Sequence, residues 1–216
     1  MLIHWLGHAC FLVTTKEGKR IVTDPFDGLA GYPVPEIPAD IVTVSHQHFD
    51  HNAVHVVPGS PAVVRDTGEH VFGGLKITGH PSYHDRKRGS QRGKNIIFVI
   101  EAEGLRVCHL GDLGHRLEEG QVRALGRIDV LMVPVGGYFT IDAADAAAVV
   151  EQLAPPYVLP MHYKTPGMDL PIEPAENFLR RYPGYREQEA LEVKAGDLPA
   201  ATQVIRLALF KVSSPF

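Results

Sequence analysis

The 216-residue sequence is 44% hydrophobic and 21% charged, the composition of a soluble globular protein with enough apolar content for a sizeable core. A net charge of −4 excludes a general electrostatic footprint for nucleic acid. No apolar run approaches the ~18 residues of a membrane span. Met1-Leu2-Ile3-His4-Trp5 lacks the basic start and long apolar stretch of a signal peptide, so the cytoplasm is the expected location. Cys10 and Cys108 lie in apolar, strand-like runs and read as buried small hydrophobes in a reducing compartment.

In chain order, residues 2–5 and 10–15 read as strands around the turn Leu6-Gly7-His8-Ala9. A hairpin turn at 16–19 leads to a third strand at 20–23, which Asp24-Pro25 ends. Residues 26–39 hold Gly28, Gly31, Pro33, Pro35 and Pro38, a loop long enough to be functional. A strand at 41–44 follows, then a short helix near Asn52 ended by Pro58-Gly59. Further strands are expected at 62–65, 71–72 and 75–78, before an irregular, basic segment from Pro81 to Lys94. Residues 95–101 and 105–109 form a hairpin across Glu103-Gly104. Helices are expected at 117–125, at 143–153 with Thr140 or Asp142 as N-cap, and at 174–181 with proline at its start. Strands at 130–133, 157–160, 191–194 and 203–210 complete the chain. A strand-heavy first half followed by alternating strand and helix predicts a layered α/β domain with no linker to divide it.

The chemistry concentrates in Ser45-His46-Gln47-His48-Phe49-Asp50-His51, directly after an apolar strand. In an extended segment alternate side chains share a face, so His46 and His48 can address one metal ion. If the chain then turns, Asp50 and His51 can address a second point nearby. Imidazole and carboxylate are what Zn²⁺ and similar ions take where a site stays open to water. A histidine-rich surface loop is the competing reading. His84, Asp112 and His162 each follow a strand; singly each reads as structural, together with the motif they supply a ligand set for two metals. Arg86, Lys87, Arg88, Arg92 and Lys94 read either as a solvated loop or as a patch for a phosphate or carboxylate. Lys164 carries the same two readings. Gly136-Gly137-Tyr138-Phe139-Thr140 is either a pocket wall or simply a loop and helix cap. There is no Gly-x-Ser-x-Gly, and Gly89 to Lys94 lacks the spacing of a phosphate-binding Walker loop.

These motifs together resemble the metallo-β-lactamase-fold hydrolases over essentially the whole chain. The resemblance is carried by His4-Trp5-Leu6-Gly7-His8-Ala9, Thr23-Asp24-Pro25, the stretch from Ser45 to His51, Tyr83-His84-Asp85, His109-Leu110-Gly111-Asp112 and Pro160-Met161-His162-Tyr163. The most similar branch includes ascorbate-6-phosphate lactonase-like and N-acylphosphatidylethanolamine phospholipase D-like proteins. It implies one domain over residues 1–216, a four-layer αβ/βα sandwich with two divalent ions at one edge between two sheets. By resemblance, His46, His48 and His84 bind the first ion, and Asp50, His51 and His162 the second, with Asp112 bridging both. Asp24 orients a ligand imidazole. His80 competes with His84 for its place, and His84 is preferred because Tyr-His-Asp fits this branch. His8 lines the site as a proton donor or hydrogen-bond partner, or is a packed structural histidine. His4, His55, His70, His109 and His115 are expected to be structural or on the surface.

The implied activity is hydrolysis of a small-molecule lactone, ester, amide or phosphodiester by a metal-activated hydroxide, with Asp50 orienting the water. Zn²⁺ is the expected metal; Mn²⁺ and Fe²⁺ suit the same ligands. A nucleic-acid-processing hydrolase of the same fold is the alternative, opposed by the acidic balance and the missing substrate-clamping domain. A non-catalytic metal-binding or redox protein is the third reading; a di-iron redox relative would typically carry glutamate where His48 stands. Relatives often assemble, so a homo-oligomer is compatible with the resemblance.

Overall fold

Short runs of β-branched and aromatic residues separated by glycine turns fold into two mixed sheets. The structure is a computed structural model and describes residues 1–28, 32–34, 36–166 and 168–210. Gly31 and Pro35 of the loop expected at 26–39 lie outside the described residues. So do residues 211–216.

The first sheet opens with an antiparallel meander of β1 (Leu2–Gly7), β2 (Cys10–Thr14) and β3 (Arg20–Thr23). It continues in parallel through β4 (Ile41–Thr43) and β5 (Ala62–Val64). The helix expected near Asn52 is only a 3-10 turn at Val54–Val56, because Pro58 and Gly59 leave no room for regular helical bonding. The second sheet runs antiparallel through β6 (Gly68–Phe72), β7 (Leu75–Tyr83), β8 (Lys94–Ala102) and β9 (Leu105–His109). Glu103 and Gly104, both at positive φ, close the β8–β9 hairpin as expected.

Beyond β9 the ladder turns parallel, through β10 (Val130–Pro134), β11 (Tyr157–Met161), β14 (Gln203–Leu207) and β12 (Arg186–Gln188). β13 (Leu191–Glu192) crosses to pair with β1 in the first sheet. All five residues of β10 are buried, as a central parallel strand requires. Three α-helices complete the described residues: α1 (Glu119–Leu125), α2 (Ala143–Leu153) and α3 (Glu176–Leu179). α1 and α2 lie against β7 and β10, and α3 packs on α2. Asp142, not Thr140, caps α2, accepting from the backbone of Ala144 and Asp145. The inner faces of both sheets share one continuous apolar core. Among the described residues, no helix is long and apolar enough to cross a membrane.

β7 departs from expectation in continuing through Pro81 to Tyr83. β6 pairs only as far as Gly79, so residues 80–83 form an edge on that side. The Pro81 carbonyl accepts from the Gln121 side chain, away from β8, and the missing N–H falls on that open side. The proline therefore costs no ladder bond, and the strand can carry His84 to its end.

Two glycines let separate segments approach closely beneath the strand ends. A Cβ on Gly136 would lie 2.2 Å from the His162 carbonyl oxygen, and one on Gly114 would lie 2.3 Å from the His84 carbonyl carbon. Gly136→Ala or Gly114→Ala should therefore displace the backbone of the adjacent histidine. Each is expected to lose about 1–3 kcal/mol of stability in denaturant unfolding; an unchanged midpoint would show that this packing is not restrictive.

Candidate metal centre

Strand direction assembles the site. β7, β9 and β11 all run the same way, as the alternating antiparallel and parallel pairings require. Their C-terminal ends therefore deliver His84, Asp112 and His162 to one edge of the second sheet. By the same reasoning β1, β3 and β4 deliver His8, Asp24 and the 45–51 loop to one edge of the first. The two edges are stitched together: the His162 N–H donates to the His8 carbonyl at 3.1 Å, and the Ile96 N–H to the Ser45 carbonyl at 2.9 Å.

The Asp112 carboxylate is the hub. Its Oδ2 lies 3.1 Å from His84 Nε2, 3.2 Å from His162 Nε2 and 3.9 Å from His46 Nε2. Its Oδ1 lies 3.3 Å from His51 Nε2. Ring nitrogens of His46, His48 and His84 come within 4.8 Å of one another, and so do donor atoms of His8, Asp50, His51 and His162. All nine residues singled out from the sequence thus sit at this edge. His84, not His80, enters the cluster.

Around the hub, hydrogen bonds fix which nitrogen His46 and His51 present. Asp24 Oδ2 accepts from His51 Nδ1 at 2.9 Å, which leaves His51 Nε2 facing Asp112. Asp24 also accepts from the Ser45 N–H at 2.7 Å and from the Ser45 hydroxyl. With its proton committed to Asp24, Ser45 Oγ accepts from His46 Nδ1 at 2.9 Å and turns His46 Nε2 inward. Asp24 is one of three residues whose oxygen and ring nitrogens cluster with His46 and His51. Both of its oxygens are already engaged by Ser45 and His51, the arrangement of a carboxylate that orients a ligand imidazole.

Asn95 and Ser45 carry roles that the sequence reading missed. Asn95 Oδ1 accepts from the Asp112 N–H, while its amide donates to Ser82 Oγ and to the Leu110 carbonyl. An asparagine that opens a strand gives no local sign that it braces a loop seventeen residues away. Asp85 next to His84 does comparable work: its carboxylate accepts from the backbone N–H groups of Lys87, Gly89, Gln91 and Arg92 and shapes the 85–92 loop. Those four bonds outweigh burial and pull its pKa down to about 2.

Several backbone and electrostatic features are costly unless something compensates them. His8, Asp24 and His162 all sit at positive φ, an unfavourable region for residues with a side chain. His46 Nε2, His51 Nε2 and Asp112 Oδ1 are buried with no hydrogen-bond partner. Each such atom costs about 1–3 kcal/mol if it stays unsatisfied. Burial and repulsion from His51 lower the His46 pKa to about 3, so this ring is an unprotonated donor at neutral pH. Burial, with the charge of His162 next, lowers His8 to about 4. Burial alone would raise the carboxyls of Asp112 and Asp50, but adjacent histidines overcome it and both remain ionised. His51 is the converse: burial disfavours its cation, yet Asp112 and Asp24 raise its pKa well above the ordinary value.

Ionised carboxylates and inward-facing imidazole nitrogens, several of them unsatisfied, are the donor set a divalent cation takes. The residues present therefore fit a metal centre. Asp24→Asn keeps the volume but loses the acceptor that fixes the His51 ring. It should weaken metal binding about 10–100-fold in competition with a chromophoric chelator, while thermal unfolding of the metal-free protein shifts far less. Unchanged affinity would show that the Asp24–His51 contact does not serve metal binding.

The basic segment is divided by the fold. Arg86 pairs with Asp145, as does Arg116. Arg92 turns its guanidinium toward the Phe139 ring, 5.5 Å away, and Lys94 opens β8. Residues 137–140 form the turn before α2 and, with the 85–92 loop, line a separate cleft of about 360 Å³. Lys164 borders a different cavity with Trp5 and Tyr163, on the side of β14. Tyr138 and Phe49 are the most exposed of the large hydrophobic residues near these loops, at 64% and 71%.

Comparison with known proteins agrees with this geometry. Residues 2–162 match the family described as Beta-lactamase superfamily domain. A metal-dependent hydrolase of Pelotomaculum thermopropionicum is 34% identical over 199 residues, covering 76% of this chain and 85% of the relative. One from Carboxydothermus hydrogenoformans is 32% identical over 196 residues, with the same two coverages. The crystal structure of a Thermotoga maritima protein, assigned to the Zn-dependent hydrolases of the metallo-β-lactamase superfamily, superposes with a TM-score of 0.81 at 42% identity. That match covers 95% of this chain and 97% of the other. The two mixed sheets with their few helices are accordingly the metallo-β-lactamase sandwich. The chain belongs to the metal-dependent hydrolases of the beta-lactamase superfamily.

Proposed function

We propose that this protein is a binuclear hydrolase of small molecules, cleaving a lactone, ester, amide or phosphodiester bond. The observation that carries the reading is the Asp112 carboxylate set between two histidine groups, with unsatisfied donor atoms turned toward it from both sides. His46, His48 and His84 would hold one ion and Asp50, His51 and His162 the other, with Asp112 shared. Zn²⁺ is the proposed occupant, as imidazole-rich sites favour it, and Mn²⁺ or Fe²⁺ can take the same donors. Such ions, when bound, lower the pKa of a water and polarise a carbonyl or phosphoryl oxygen.

The chain's own residues do the rest. Asp50 keeps an ionised carboxylate at the rim, only partly exposed, where it can orient a water and accept its proton at Oδ2. His8 is uncharged at neutral pH and meets Asp50 Oδ2 at 3.2 Å through Nε2. That contact, with the Nε2 N–H donating, fixes the Asp50 rotamer. His8 is therefore assigned to positioning Asp50 and not to packing alone. His48 is the exposed member of its group and forms the side from which substrate approaches.

Untagged protein purified without chelators should contain about two equivalents of Zn, Mn or Fe by plasma mass spectrometry. Asp112→Ala and His48→Ala should fall below this, and turnover of lactone or phosphodiester substrates should vanish with chelation and return with metal. Protein that holds no metal after reconstitution would overturn the proposal. So would a loaded protein inert across all four bond types.

A further inference from the structure

A groove of about 760 Å³ runs alongside the first histidine group, and the proposed chemistry does not use it. Its floor reaches His46 and the exposed His48, so a molecule lying in it touches the rim of the metal centre. Its walls come from both sheets. Arg65, just past β5, stands on one side, and Lys94, the first residue of β8, lies on the other. Arg92, whose guanidinium lies toward Phe139, lines the groove as well, and among the described residues none of the three cations has a carboxylate within ion-pair distance. The groove's only acidic residue, Asp66, lies 3.3 Å from His70 Nε2. Pro81, Tyr83 and Ile96 give the groove an apolar stretch between these charges.

Cations that converge on one concave surface without a counter-charge repel one another and focus positive potential there. An anion in the groove removes that repulsion and gains two charge-assisted contacts. We infer that this groove binds the anionic end of the substrate, a carboxylate or a phosphate, at Arg65 and Lys94, with its apolar or aromatic linker on Tyr83. The scissile bond then lies beyond His48. The inference rests on the hydrolase reading and narrows its substrate class to anionic esters, lactones and phosphodiesters. It also reassigns the basic segment: of the residues singled out there, Arg92 and Lys94 line the groove with Arg65, while Arg86 is held by Asp145.

The test is direct binding, by isothermal titration of metal-loaded protein with phenylphosphonate, with benzoate, and with neutral benzyl alcohol. Arg65→Ala and Lys94→Ala change exposed side chains, and metal content is measured in every variant. Each single change is expected to weaken binding of the anionic probe about three- to tenfold, and the double variant more than tenfold. Benzyl alcohol binding and metal content should not change, and Arg65→Lys should recover most of the loss. A preference for phenylphosphonate or benzoate decides between a phosphate and a carboxylate. Unaltered anion affinity in the double variant would overturn the inference, because the probe would then be sitting on the metals or elsewhere. An equal loss for benzyl alcohol would overturn it too, since the groove would be acting by shape and not charge. Because binding is read without turnover, wild-type protein that lacks metal and activity would sink the hydrolase reading alone.

Discussion

The rest of the structure depends on one constraint: a carboxylate, Asp112, is buried at the meeting edge of two sheets with imidazoles on every side. Among the described residues, no protein partner satisfies all of these atoms. A carboxylate buried among imidazoles with unsatisfied donor atoms is costly by itself. The fold accepts that cost by bracing part of the cluster from behind: Asp24 and Ser45 fix His51 and His46, Asn95 fixes the Asp112 loop, and His8 fixes Asp50. Such bracing would be wasted on a packed core. It is what a preorganised site for cations requires.

The scaffold explains why these residues can meet. Two successive antiparallel pairings bring β7 and β9, and likewise β1 and β3, into one direction, and parallel crossovers add β11 and β4. Six strand ends then bring site residues from six distant segments to one edge. Strain collects at the same edge: positive φ at His8, Asp24 and His162, and glycines at 114 and 136 where any side chain would collide with a histidine backbone. Stability is spent on geometry at this edge, while the apolar core between the sheets supplies it elsewhere.

Much of this was legible from the chain. His46, His48, Asp50 and His51 are close enough in sequence that their spacing alone points to a metal; the positions of His84, Asp112 and His162 just past strands extended the set, and resemblance divided it between two ions. The strand order was less legible. Pro81 reads as a break because proline lacks an N–H, but whether that matters depends on which neighbour lies on that side, a non-local fact. β12 has no apolar alternation, as Arg186-Glu187-Gln188 shows; β14 supplies its ladder and Arg206 ties it through Glu187. Ser45, Asn95 and Arg65 gain their roles only when two sheets come together, so nothing near them in the sequence marks them.

The central claim is that cations complete this cluster. Anomalous diffraction at the zinc, manganese and iron edges, from crystals of protein purified without chelators, tests it most directly. The account predicts two peaks, one among His46, His48 and His84 and one among Asp50, His51 and His162, with Asp112 touching both. Reconstituted crystals with these side chains in place and no peak at either position would contradict it.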